Sequence, residues 1–515
     1  MLDLLVPFLL ALLPIIWLVI ALCALHMEAW LASFTSLAVC AVVALTYFGM
    51  APVNAATAAL EGFLFALWPI VIVIIAAVFT YNLTVHTGAM DVIKQMLTSV
   101  SSDKRVLTLL IGWCFGGFLE GMAGFGTAVA IPAGMLAGLG INPIIAIVAC
   151  LIANGTPTMF GSIGIPTTTL ATITGIDPIT LGGVQSLQVA LFVVACPILM
   201  VMLVGGGPRA LKGVLPITLA AGISFAVPEI LAAHFISANL PDVVASVVSL
   251  IVTFVMALRT RDREVPEEYR LSIPEAAEAI TVKRALVSWS PFILIFVVLL
   301  LTSKLVPFIA EPLSSIATKA TIYSGEGAAT LTFTWINTPG VLIMACGIIG
   351  GIIQHCSFKD MLKVLGDTCK QMFKTILTML GVLGMAKIMG YAGMISAVAA
   401  FFVGTLGGMF PLVSPILGAL GTFVTGSGTS SELLFGNVQV EAARAIGVNE
   451  TWLAAANSLG TSAGKMLAPQ SIAIGCAACG LSGKDGEILG KIAPYAFGFV
   501  IAMSALVYVG AVMGL

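Results

Sequence analysis

Gly124-Phe125-Gly126-Thr127, followed by Asn154, Gly161 and Pro166, decides the reading of this chain, because Gly426-Ser427-Gly428-Thr429, followed by Asn457, Gly464 and Pro469, repeats it. From Asn to Gly to Pro the spacing is identical, each residue of the first set lying 303 positions before its counterpart. Glycine pairs followed by hydroxyls interrupt a helix and leave backbone amides unpaired. In hydrocarbon such interruptions survive only where they line a cavity or are buried in protein. A matched pair of them in two halves of a membrane chain is the sequence sign of a carrier's binding site.

The surroundings are those of a membrane protein. Hydrophobic residues make up 59% of the 515 and charged residues 9%, against about 25% charged in soluble domains. Apolar runs at 4–25, 63–79, 243–258 and 291–301 are spans or large parts of spans at about 20 residues each. The expected fold is an all-α polytopic membrane protein with about 11 to 14 membrane segments. The first run is expected to stay as a helix, since Met1-Leu2-Asp3 carries an acid and no base and no small-residue cleavage pattern follows. A net charge of −2 offers no basic face for nucleic acid. The ten cysteines are scattered in apolar runs, and Cys476-Ala-Ala-Cys479 lacks the context of a redox site. His26, His86, His234 and His355 stand alone near span ends, so no metal site and no cofactor is expected.

The repeat extends upstream, where His86-Thr-Gly88-Ala and Tyr391-Ala-Gly393-Met each follow an apolar span. The chain therefore divides into N-terminal helices at 1–60, unit one at 61–183, connecting helices at 184–366, unit two at 367–491 and a C-terminal helix at 492–515. Lys and Arg collect on the cytoplasmic side. Residues 50–62 carry none, whereas Lys359, Lys363, Lys370 and Lys374 precede unit two. Lys94, Lys104 and Arg105 follow Gly88, whereas 394–410 has no base. Unit one ends without a base, whereas Lys484 and Lys491 follow unit two. The three reversals predict an inverted-topology repeat, with Arg209, Lys212 and the loop 259–284 in the cytoplasm and both termini outside. Residues 143–174 and 452–480 read either as pairs of short spans or as hairpins. The apolar stretch 394–410 is long enough to span, although this topology needs it at the interface or doubling back.

A helix starting after Gly126-Thr127 or Gly428-Thr429 offers free N–H groups and the positive end of its dipole to an anion. Gly124, Gly126, Thr127, Gly426, Ser427, Gly428, Thr429, Ser430 and Ser431 are thus candidate substrate-binding residues, joined by Asn154, Thr156, Asn457, Ser458 and Thr461 from the second arms. Charged residues at membrane depth are functional candidates by default. Glu120 has no basic neighbour in sequence, and burial favours its neutral form, as a proton carrier requires. Glu432 completes a capping-box pattern, Thr429-Ser-Ser-Glu432, and is the second proton-coupling candidate. Lys465 is the one base near the centre of either unit and suits a substrate carboxylate, with a salt bridge to Glu432 or Glu120 as the alternative. Lys387 is expected to snorkel, and Glu441 with Arg444 to form an i,i+3 pair. No phosphate-cradling loop and no nucleophile–base pair suggests ATP-driven transport or an enzyme.

Phe118-Leu-Glu-Gly-Met-Ala-Gly-Phe-Gly126, Gly161-Ser-Ile-Gly-Ile-Pro166, Thr425-Gly-Ser-Gly-Thr-Ser-Ser431 and Gly464-Lys-Met-Leu-Ala-Pro-Gln-Ser-Ile-Ala-Ile474 resemble the bacterial L-lactate permease family over most of the chain. The resemblance implies a secondary active transporter of the bacterial cytoplasmic membrane that imports L-lactate, glycolate or a similar 2-hydroxymonocarboxylate with protons. By looser likeness to a wider ion-transporter superfamily it implies re-entrant hairpins, a homodimer and elevator-like movement. Glu120, Gly126, Asn457 and Lys465 match the family pattern. Gly428 stands where the family carries Asp and Glu432 where it carries Asn, so an acid has moved one helical turn. The expected function is proton symport of a small monocarboxylate, with a Na⁺- or H⁺-coupled carrier for another organic anion such as a dicarboxylate, or a passive facilitator, as the rivals.

Overall fold

The computed structural model describes residues 2–25, 27–124, 126–261, 263–271, 280–303, 305–328, 330–481 and 484–515. His26, Phe125 and part of the loop 259–284 lie outside them. Twelve helices among the described residues are long and apolar enough to cross a membrane. Among the described residues the fold is all-α apart from one antiparallel strand pair, Ala317–Thr321 with Thr330–Thr334.

The glycine pairs do more than interrupt a helix: they reverse it. A side chain built at Gly112 would meet Leu136, and one at Gly116 would meet Pro132. Lys104–Met122 and Thr127–Gly138 therefore run antiparallel. Gly124 (φ +60°) and Gly126 (φ +88°) make the turn, in backbone that side chains other than glycine rarely adopt. The second pair does the same. Ser431 Oγ donates to the Gly418 carbonyl at 2.7 Å and Ser414 Oγ to Gln439 Oε1 at 2.7 Å. These contacts hold Phe410–Thr425 against Gly428–Ile446, with Gly426 (φ +69°) at the tip.

The hairpins thus sit at the glycine pairs, and 143–174 and 452–480 are broken spans instead. The first runs as Pro143–Gly155, a tight turn Thr156–Phe160, left-handed backbone at Ser162, Ile163 and Gly164, and then helix to Thr174. The second runs as Glu450–Leu467, an extended Ala468 (φ −58°, ψ 120°) and Pro469–Ala478. Each begins on an asparagine cap. Asn142 Oδ1 accepts from Ile144 N at 3.0 Å, and Asn449 Oδ1 from Thr451 N at 2.9 Å. A side-chain oxygen there satisfies helix N–H groups that have no partner within the helix. The broken spans pack antiparallel along their lengths: Gly475 lies against Ile147, Gly155 against Met466, and Leu170 and Ala171 cluster with Ala454 and Ala455.

Polar contacts tie the charged loops together in two groups. Arg105 is paired with Asp103 at 2.7 Å and donates to the carbonyls of Ala210 and Lys212, and its guanidinium lies 3.9 Å from the centre of the Tyr269 ring. Lys374 meets Glu28 at 2.8 Å. The stretch 394–410 is a short helix, Met394–Leu406, whose Phe401 stacks on Phe8 at 3.9 Å before Gly407 (φ +50°) turns the chain into the second hairpin. Gly88 and Gly393 both adopt left-handed backbone at the helix starts that precede the hairpins.

Candidate functional site

The hairpin tips and the breaks of the two spans enclose one cavity of about 420 Å³. The second tip contributes Gly426, Ser427, Gly428, Thr429 and Ser430, and the first contributes Gly126. Ser427 caps the helix Gly428–Ile446 through its Oγ, which accepts from Ser430 N at 3.3 Å. The N–H groups of Gly428 and Thr429 have no acceptor among the described residues. They carry the positive end of a 19-residue helix, the arrangement that binds anions.

Two charges face this space from opposite arms. Lys465 is 7% exposed and its Nζ donates to the Gly426 carbonyl at 2.9 Å. That bond uses one of three ammonium protons. Glu120, 4% exposed, lines the opposite side. Among the described residues no ion pair joins Lys465 to Glu120 or to Glu432, so the salt-bridge alternative is not what the structure holds. A side chain at Gly161 would reach within 2.7 Å of Glu120 Oε1, and glycine there leaves room for the carboxyl.

The repeated asparagines have repeated tasks. Asn154 Nδ2 donates to Glu120 Oε2 at 2.7 Å, and Asn457 Nδ2 donates to Glu432 Oε2 at 2.8 Å. One acid comes from the helix before its tip and the other from the helix after it. Glu432 is fully buried, does not line the cavity and does not cap, because the cap is Ser427. The capping-box reading of Thr429-Ser-Ser-Glu432 therefore fails: the helix starts two residues earlier than that pattern required, which carries Glu432 onto the face of Asn457.

Other expected residues stand behind the cavity wall. Thr127 Oγ1 donates to the Gly124 carbonyl, Ser431 to Gly418, Thr461 to Ser458, and Thr156 contacts Cys196 Sγ. Ser458 Oγ accepts from Gln185 Nε2 at 2.5 Å. Asn154, Asn457 and Gly124 likewise lie outside the lining. The structure adds Thr158, Ser162, Gln470 and Ser471, with Ile70, Ile74 and Ile474 among the apolar lining. Ser162 lies inside the first Gly-to-Pro segment and Ser471 two residues past Pro469 in the second motif, where the hydroxyls were legible. Ile70 was not, because the non-helical Trp68 before Pro69 sits in an otherwise continuous apolar run. The cavity opens toward Trp30, Glu28 and Lys374.

Outside the cavity, Lys387 differs from expectation, while the i,i+3 pair of Glu441 with Arg444 is present. Lys387 does not snorkel, but pairs with the buried Glu61 at 2.7 Å. Arg444 lies 3.9 Å from Glu441, and its closer partner is Glu450 at 2.8 Å. Among the described residues no group of His, Cys, Asp and Glu could hold a metal ion, and the described cysteines are free thiols.

A sequence model of the L-lactate permease family matches residues 7–513. The chain belongs to the L-lactate permease family. It is 42% identical over 447 residues to an L-lactate permease of Streptococcus iniae, covering 87% of this chain and 93% of that one. It is 35% identical to the L-lactate permease of Escherichia coli K12, covering 93% and 91%. The glycolate permease GlcA of the same organism is 34% identical over 93% of this chain and 91% of its own. Among solved structures, the YdaH transporter of Alcanivorax borkumensis aligns with a TM-score of 0.47 at 15% identity, covering 88% of this chain and 87% of that one. Members of the L-lactate permease family are permeases and not enzymes by name, and membership together with twelve candidate spans makes this a multi-pass protein of the bacterial inner membrane.

Proposed function

We propose that the protein is a secondary active transporter that imports a small monocarboxylate, L-lactate, glycolate or a similar 2-hydroxy acid, by proton symport. The observation that carries this reading is the cavity between the hairpin tips, where Lys465 and the free N–H groups of Gly428 and Thr429 face Glu120. The carboxylate of the substrate lies against Lys465 and the helix N-terminus. Hydroxyls of Ser427, Thr429 and Ser430 meet the 2-hydroxyl, and Ile70, Ile74 and Ile474 pack on the short carbon chain. Permeases named for lactate and for glycolate, at 42% and 34% identity, support this substrate class.

Glu120 carries the proton in this reading. It faces the same space as the substrate, so a negative solute and an ionised Glu120 repel each other, which couples the binding of one to the protonation of the other. Units 61–183 and 367–491 act as inverted halves, a view supported by the antiparallel packing of the two broken spans, and two copies form a dimer. A dicarboxylate fits less well, because among the described residues the only other lysine lining the cavity, Lys374 at its mouth, is already paired with Glu28.

The test is Glu120→Gln in proteoliposomes. Accumulation of L-lactate against its gradient under an imposed pH difference is lost, while exchange of lactate for lactate continues. Unchanged accumulation removes Glu120 from the mechanism, and accumulation that follows a Na⁺ gradient instead replaces the coupling ion.

A further inference from the structure

Next to Glu120, on the side away from the cavity, stand two acids that the site above does not use. Asp242 begins the helix Pro241–Arg259, and Glu229 lies in the preceding helix Leu215–Phe235. Both are fully buried. Neither carboxyl has a hydrogen-bond partner on either oxygen among the described residues. Buried polar groups without partners are rare in native proteins and ask for an explanation.

The packing shows where these carboxyls point. A side chain at Gly121 would lie 2.7 Å from Asp242 Oδ2 and 3.1 Å from its Cγ, so the carboxyl reaches the backbone of the first hairpin one residue from Glu120. Gly117, one turn earlier, faces Phe225 and Ser246 in the same way. Glu229 is one turn beyond Phe225 and Asp242 one turn before Ser246, which brings both to the level of Gly121. Asp242 is within electrostatic reach of Glu120 and of Glu229. Glycine at 121 leaves Asp242 its place, as glycine at 161 does for Glu120.

The charged and titratable groups around this row are few. Glu120 and Lys465 lie toward the cavity. His234 lies past Glu229 on its own helix, with its Nδ1 against the Ile230 carbonyl. Among the described residues no cationic side chain is hydrogen-bonded to Asp242 or Glu229. Two carboxyls without donors are tolerated at this depth as neutral acids, with a proton on each. Resting on the proton symport proposed above, we propose that Asp242, backed by Glu229, is a further proton-binding group in series with Glu120, taking the coupling proton from Glu120 on the side of the hairpin that the substrate does not reach. Because Asp242 rests with its own proton, it first releases that proton away from Glu120 and is then refilled from Glu120, so one proton moves along the row at each step, one carboxyl is ionised in passing, and the substrate is unchanged. It separates the path of the proton from the path of the anion, which Glu120 alone, lining the cavity, cannot do.

The experiment compares wild type, Asp242→Asn and Glu229→Gln in proteoliposomes loaded with a pH-sensitive dye, measuring lactate exchange, lactate accumulation and proton entry. Wild-type accumulation under a pH gradient tests the symport reading by itself, and its failure removes both proposals. Given wild-type accumulation, Asp242→Asn keeps exchange and loses accumulation together with lactate-driven proton entry. Asp242→Asn that accumulates as wild type, with an unchanged pH profile, overturns the inference. Should Asp242→Asn lose exchange as well, Glu229→Gln decides: decoupled exchange supports the row of acids, and wild-type accumulation overturns it.

Discussion

Replacing Lys465 by Met removes the ammonium and keeps the length of the side chain, and the structure gives two separable costs. The first is structural. Lys465 Nζ meets the carbonyl of Gly426, the residue that ends the helix Phe410–Thr425, and a cation at a helix C-terminus contributes about 0.3–1 kcal/mol. The second appears only with substrate. One ammonium proton is committed to Gly426, and the others are free to meet a carboxylate in the cavity. A hydrogen bond to a charged group contributes about 1.5–3 kcal/mol, which converts to a loss of affinity of roughly 10- to 150-fold at 1.4 kcal/mol per factor of ten. The binding term therefore outweighs the structural one. Thermal unfolding in detergent reads the first quantity and lactate counterflow in proteoliposomes the second. Lys465→Met is expected to weaken apparent lactate affinity by that factor with a small change in melting temperature, and Lys465→Arg to recover part of the affinity. Affinity within about threefold of wild type, about 0.6 kcal/mol, would show that Lys465 is a helix cap and would refute its substrate role.

Two further outcomes are expected from the packing. Gly460→Ala places a Cβ against the Pro415 carbonyl in a contact with no slack. Overpacking of this kind costs about 1–3 kcal/mol or more, read as a lowered melting temperature and reduced folded yield. Arg105→Ala leaves Asp103, only 6% exposed, with its charge uncompensated and frees the carbonyls of Ala210 and Lys212. Breaking a buried pair from one side costs about 3–5 kcal/mol, and the same thermal assay should show a larger loss than for Arg444→Ala, whose pair with Glu450 is about half exposed.

The membrane class, the span count and the position of the special backbone were legible because each rests on local chemistry: apolar length, and glycines where left-handed backbone is needed. Whether a glycine pair kinks a chain or reverses it was not legible. Gly124 and Gly126 permit both, and the choice is made by Leu136 and Pro132 packing on Gly112 and Gly116, contacts across about 20 residues. The partner of Glu432 was hidden for a related reason, since a shift of two residues in the helix start turns its side chain by about 200°. Asp242 follows a proline and reads as an ordinary first-turn acid. Only the neighbouring helices reveal that this first turn is buried.

The helix Glu450–Leu467 touches the second hairpin through glycine on both sides: Gly418 against Asn457, Gly460 against Pro415 and Gly464 against Ala419. Main chains that meet with no side chains between them have nothing to re-pack, and sliding one along the other would drive carbonyl oxygens into the next Cβ. This pair is a single rigid piece. In the transport cycle proposed above, a displacement that turns the cavity from one side of the membrane to the other would carry Lys465 and the 426–430 tip together, so the grip on the substrate would keep its shape while its exit changes.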